Sequence, residues 1–161
     1  MRILRALCAA SASAVMVMGA AAPSATGSPA ATGGPEADMA YHGYVAMVHG
    51  QVGLWLTPQN HGPANVADAT VRLRWSSPLA AIQQLPEQCA RAGTSTVLCR
   101  TGALAAGSWG RRMVIAVRLA GAPSEVTLQI DTVWNGGARD KNPQNDRHKV
   151  LALDTGDSYY F

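Results

Sequence analysis

Charge is scarce in this 161-residue chain: 14% of its residues are Asp, Glu, Lys or Arg, against roughly 25% in an ordinary soluble domain. With 48% of the residues apolar, a disordered acidic or basic tail is excluded. The formal net charge is +3. Arg2 and Arg5 belong to an N-terminal leader, and without them 11 basic residues face 10 acidic ones. That leaves no basic stripe for nucleic acid. Lysine occurs only as Lys141 and Lys149, and phenylalanine only as Phe161. Arginine in place of lysine, with abundant Ala and Gly, is the composition of a GC-rich genome of the actinobacterial type.

Catalytic motifs are missing as well. There is no HExxH, no GxSxG elbow, no CxxC and no Gly-rich loop joining a strand to a helix. The chemistries those patterns serve therefore have no signature here. His42, His49, His61 and His148 are scattered rather than paired at ligand spacing. The segment Asp140 to Asp146 is rich in oxygen ligands but fails as an EF-hand. Pro143 is misplaced, no Gly stands sixth, and Leu151 occupies the place of the bidentate Glu. The expectation is a protein that is not an enzyme and uses no cofactor or metal.

Long apolar runs are absent beyond the first 22 residues. Met1 to Arg5 carries two arginines and Ala6 to Ala22 is uncharged, the n- and h-regions of a secretory signal peptide. Residues 1–30 are read as signal peptide and cleavage region. The cut itself is open between Ala20-Ala21-Ala22, Ala25-Thr26-Gly27 and Ser28-Pro29-Ala30. Cys8 follows no lipobox and leaves with the leader. Residues 31–40 belong to an Ala-, Gly-, Ser-, Thr- and Pro-rich stretch with little to bury, and are read as a flexible linker. The remainder, 41–161, is the length of one domain. The mature protein is expected to be secreted, with no membrane span. Cys89 and Cys99 are then an even pair in an oxidising compartment, expected to form one disulfide with a turn at Gly93.

Within 41–161 the apolar residues alternate. Val71, Leu73 and Trp75 share one face of a strand, as do Met113, Ile115, Val117 and Leu119. Val126, Leu128, Ile130 and, after an irregularity at Thr132, Val133 follow, and a last clear strand ends at Leu153. Period two marks half-buried strands, and Gly, Pro and Asn clusters separate them. About seven short strands at this spacing predict an all-β, Ig-like antiparallel sandwich.

Four short pieces follow one another along the chain: Asn60-x-Gly62-Pro63-Ala64, Cys89 with Val97-Leu98-Cys99, Leu104-Ala105-Ala106-Gly107, and Asp140-x-Asn142-Pro143-x-Asn145-Asp146. Over residues 50–154 this order resembles the DUF11 family, Ig-like domains akin to CARDB adhesion-type modules of secreted and surface bacterial proteins. The resemblance implies a sandwich without catalytic residues. In physical terms Asn60-x-Gly62-Pro63 reads as a turn in which Gly supplies φ > 0. The Asp140 segment reads as side chains bonding nearby backbone N–H groups.

The two ends of the domain carry the candidate binding residues. Tyr41 to Leu56 is almost uncharged, and its first half, behind a linker, suits addition to another chain's sheet edge. In that arrangement Tyr44, Ala46 and Val48 fill one set of pockets and Val45 and Met47 the other, with Tyr41 at the start. The opposing reading makes the stretch the domain's own first strand. Tyr159, Tyr160 and Phe161 form an aromatic end that either packs back or meets a partner. Trp109, in a Gly-flanked loop, is a contact residue for a protein or glycan. Arg91 stands in the disulfide-bounded loop, where a protease inhibitor displays a basic residue. The expected function is a secreted adaptor or structural subunit of an extracellular protein assembly, such as a secreted toxin particle. The alternatives are a module binding cell-wall polymer or glycan, and third an inhibitor.

Overall fold

The computed structural model describes residues 34–161; the leader reading and positions 31–33 of the expected linker lie outside them. Twelve strands follow in chain order: β1 (Glu36–Ala37), β2 (Met39–Val48), β3 (Gln51–Asn60), β4 (Thr70–Trp75), β5 (Cys89–Arg91), β6 (Thr96–Arg100), β7 (Ser108–Trp109), β8 (Met113–Arg118), β9 (Glu125–Trp134), β10 (Arg139–Asp140), β11 (His148–Leu153) and β12 (Ser158–Tyr160). Strands β12, β2 and β3 lie side by side, with β7 and β8 both bonded to the far side of β3. The second sheet runs β11-β9-β4-β6-β5, and β1 and β10 form a small parallel pair. Seven strands have five residues or more. The fold is the expected antiparallel β-sandwich.

Alternation builds it. On β3, Val52, Leu54 and Leu56 point into the core while Gly53, Trp55 and Thr57 point away. Met113, Ile115 and Val117 do the same from β8, and Val71, Leu73 and Trp75 face them from β4. Trp75 is the largest side chain of the core and only 2% exposed. The turn from β2 to β3 is two residues long, with φ of 50° at His49 and 71° at Gly50. Two positive φ values in succession match the right-handed twist of a hairpin.

The domain begins earlier than its composition suggests. Residues 34–40 are not linker: Glu36 and Ala37 pair with Arg139 and Asp140, and Ala37, Met39 and Ala40 are buried. Their partners are distant in sequence. The Met39 N–H donates to Asp140 Oδ2 at 3.0 Å, and the Asp38 N–H to Asn60 Oδ1 at 3.3 Å. Asn60 is fully buried, and its amide also accepts from the Gly62 N–H and donates to the Ala64 and Ala105 carbonyls. Gly62 is not among the residues with positive φ. It is glycine for space, since a Cβ would come within 2.5 Å of Ala37 Cα. The small residues of the supposed spacer thus serve close packing. Asp140 Oδ1 accepts from the Asn142 N–H at 2.8 Å, the local turn expected there.

The irregularity in β9 falls one residue later than expected. Val71 pairs with Thr132 and Thr70 with Trp134, so Val133 is skipped and lies exposed. Thr132 turns towards the core instead and bonds the Tyr41 hydroxyl at 2.7 Å.

Cys89 and Cys99 face each other across β5 and β6 and are bonded. The bridge spans ten positions of sequence. Replacing both cysteines with serine is expected to cost about 3 kcal/mol by the chain-entropy relation, with the sandwich retained. Equilibrium unfolding in urea checks this, and an unchanged midpoint would refute it.

Candidate functional site

The expected strand-addition segment is the domain's own central strand. Every residue of β2 has a partner on β3, from Met39 opposite Asn60 to Val48 opposite Gln51. Ala46, Val45 and Tyr44 pair on the other side with Ser158, Tyr159 and Tyr160 of β12. Tyr41, Val45 and Met47 are buried in the core, so they are closed to a partner. Strand addition by this segment is therefore corrected: its backbone groups are already spent in cis.

What β2 offers outward is a surface. Tyr44 stands directly opposite Trp55 of β3 and Tyr160 of β12. Val114 of β8 stands opposite Trp55 on the far side. The four side chains make one row, Tyr160–Tyr44–Trp55–Val114, crossing four strands on the outer face of the sheet. The Tyr44 and Trp55 rings stack 4.6 Å apart at 14°, and Tyr160 leans on Tyr44 at 5.3 Å. Cross-strand aromatic pairs of this kind steady one another by roughly 0.2–1 kcal/mol. Gly53 makes room for the indole, since a Cβ there would lie 2.8 Å from the Trp55 ring. Ala46 is half-buried and Val48 exposed on the same outward side.

Beside the row, His42 meets Trp109 with ring centroids 4.9 Å apart. Trp109 is 59% exposed and lies on the short strand β7, paired with Gln59. Together with Thr57, Arg112 and Phe161 these residues line a cleft of about 560 Å³. The aromatic end divides its roles. Phe161 exchanges backbone hydrogen bonds with Gly43 and packs, like Tyr159, against the core, while Tyr160 faces solvent.

Behind this face lies a polar seam. Burial pushes the Tyr41 hydroxyl far above its ordinary range, and the bond to Thr132 only partly offsets it. Burial likewise raises Asp146, with Thr132 opposing and Asp140 adding. His148, whose ring packs 5.1 Å from Phe161, is lowered by burial, with its hydrogen bond to the Asn145 carbonyl opposing, and so favours the neutral form. Among the described residues no three His, Cys, Asp or Glu side chains converge to hold a metal ion. The Asp140–Asp146 segment acts as a clasp for the start of β2.

Arg91 is exposed, but its head group is engaged. Its guanidinium donates to the carbonyls of Leu79, Ala80, Ala81, Gly93 and Thr94. The side chain that an inhibitor would present to a protease instead ties two loops together.

The sequence pointed to Tyr44, Trp109 and Tyr160, and the structure brings these into one neighbourhood. Trp55, His42, Arg112 and Val114 were not among the contact residues expected. The signal for Trp55 was present, because it alternates with Leu54 and Leu56 and must face away from them. Searched against protein-family models and against curated proteins, the chain matches neither.

Proposed function

We propose that the protein is a secreted, non-catalytic protein-binding module of the Ig-like kind its motifs resemble, serving as adaptor or structural subunit of an extracellular assembly. It takes its partner on the aromatic face. The observation that carries this reading is the row Tyr160–Tyr44–Trp55–Val114, which turns large apolar side chains outward on the side of the sheet away from the core. Trp, Tyr and Arg dominate the energetics of protein interfaces, the two aromatics because they bury much area at little entropy cost. Trp55 and Arg112 supply such anchors here.

The test is capture from native culture supernatant, followed by the dissociation constant for whatever co-elutes. Trp55→Ala is expected to weaken capture by at least about thirty-fold, a hot-spot loss of roughly 2 kcal/mol, while the variant still unfolds cooperatively. Capture at full strength by Trp55→Ala overturns the reading.

A second reading, binding of cell-wall polymer or glycan, is favoured by Trp109. An exposed indole beside His42, Thr57 and Arg112 combines an apolar plate with hydrogen-bonding groups, the combination a sugar ring uses. In that case Trp109→Ala abolishes pull-down on insoluble wall polymer, and Trp55→Ala has the smaller effect.

A further inference from the structure

The aromatic row ends at Val114 on β8, whose strand partner is β3; on its other side only its last residue, Arg118, is met. Amide directions alternate along a strand. The Leu119 N–H reaches the Gly50 carbonyl across the β2–β3 turn, so Leu119, Val117, Ile115 and Met113 bond inward. The backbone groups of Val114, Ala116 and Arg118 point the other way. At Arg118 they are met: Gln83 Nε2 donates to the Arg118 carbonyl at 2.9 Å, and Gln83 Oε1 accepts from the Arg118 N–H at 3.0 Å. The Ala80 N–H donates to the same carbonyl at 2.9 Å, so this end of the edge is already closed by the chain's own backbone and the Gln83 amide. At Val114 and Ala116 the N–H and C=O groups have no partner among the described residues. A hollow of about 680 Å³ opens beside them, lined by Ala116 and by Ile82, which is 85% exposed.

Charge says what fits there. Arg112 and Arg118 flank the open stretch and are exposed on the same side as Val114 and Ala116. Neither has a carboxylate partner among the described residues. A second copy of this chain is disfavoured. Antiparallel pairing of β8 on itself, matched at Val114 and Ala116, sets Arg112 of one copy against Arg118 of the other, and like charges directly opposite repel. We infer that the β8 edge accepts an extended segment of another protein, in which a bulky apolar residue opposite Val114 is followed two places on by an acidic residue opposite Arg112. The incoming strand lengthens the aromatic row by one place and receives its backbone bonds from Val114 and Ala116. This goes beyond the aromatic-face reading, since backbone groups of an edge carry it.

The experiment uses the isotope-labelled chain and a synthetic capped peptide, Thr-Val-Thr-Trp-Thr-Glu-Thr, with a Lys-for-Glu version as control. On titration at low salt, the acidic peptide is expected to slow hydrogen exchange at the Val114 and Ala116 amides, and the lysine peptide to bind about ten-fold more weakly. Ala116→Pro removes only an outward N–H, which an edge strand tolerates, and is expected to abolish the protection while the domain melts as before. Should that variant fail to fold, Arg112→Glu is read in its place: it reverses the preference, so that the lysine peptide binds the more tightly. Absence of protection at both amides, or equal binding of the two peptides, overturns the inference. The same titration on Tyr44→Ala keeps the two proposals apart. Edge protection in this variant with partner capture at full strength leaves this inference standing without the other; capture lost in it, with no edge protection even in the unaltered chain, does the reverse.

Discussion

Deleting Tyr41–His49 is expected to leave no folded domain at all. The segment makes up most of β2, which is hydrogen-bonded to β3 along its full length and to β12 over three residues. It carries Tyr41, Val45 and Met47 into the core, each with no exposed surface. Truncating single buried side chains of this size costs about 2–5 kcal/mol apiece, and the whole stability of a domain is about 5–15 kcal/mol. Loss of all three, together with both ladders, exceeds that range. Circular dichroism and chemical-shift dispersion check the outcome. A cooperative thermal transition in the deletion variant would show that β2 is an accessory strand, available for pairing in trans after all.

Gly43→Ala is expected to approach the same result by a single methyl group. Gly43 lies opposite Leu56 where β2 passes β3, and a Cβ at this position would fall 1.8 Å from the carbonyl oxygen of Trp55 and 3.2 Å from the ring of Phe161. The obstacle is backbone, so no rotamer relieves it. The hairpin must part or bend, at a cost of at least about 3 kcal/mol. Gly53→Ala offers the contrast. There the added Cβ meets only the far edge of the Trp55 indole, at 2.8 and 2.9 Å, and that ring can swing away. Urea denaturation is expected to show a large loss for Gly43→Ala and a loss under about 1 kcal/mol for Gly53→Ala, whose partner binding nonetheless falls because the row is disturbed. Equal stability losses in the two variants would refute the distinction.

The strands were legible in the sequence because alternation is a local property. Val71, Leu73 and Trp75, or Met113, Ile115 and Val117, declare their buried face without reference to any other element. The disulfide was legible for a similar reason, its two ends being close in the chain. What escaped were features set by distant partners. Ala37 and Met39 read as spacer because the groups that order them, Asn60 and Asp140, arrive from far along the chain. Tyr41 read as a contact residue because nothing nearby announces Thr132 as the partner of its hydroxyl. Trp55 could have been assigned to the outer face from its own strand, but its alignment with Tyr44, Tyr160 and Val114 depends on register. The open edge of β8 depends on strand order, which a pattern of period two does not encode.

The pairing of β12 with β2 has a consequence in time. The β2–β3 hairpin closes through a two-residue turn, and such local hairpins form within about 1–10 μs. Tyr44 and Trp55 are therefore neighbours from the outset. Tyr160 reaches Tyr44 only by joining opposite ends of the domain, and contacts so distant in sequence form late. During synthesis the row exists in halves, and the third ring arrives only after the last strand has been made. The aromatic row is thus complete only once β12 has joined β2.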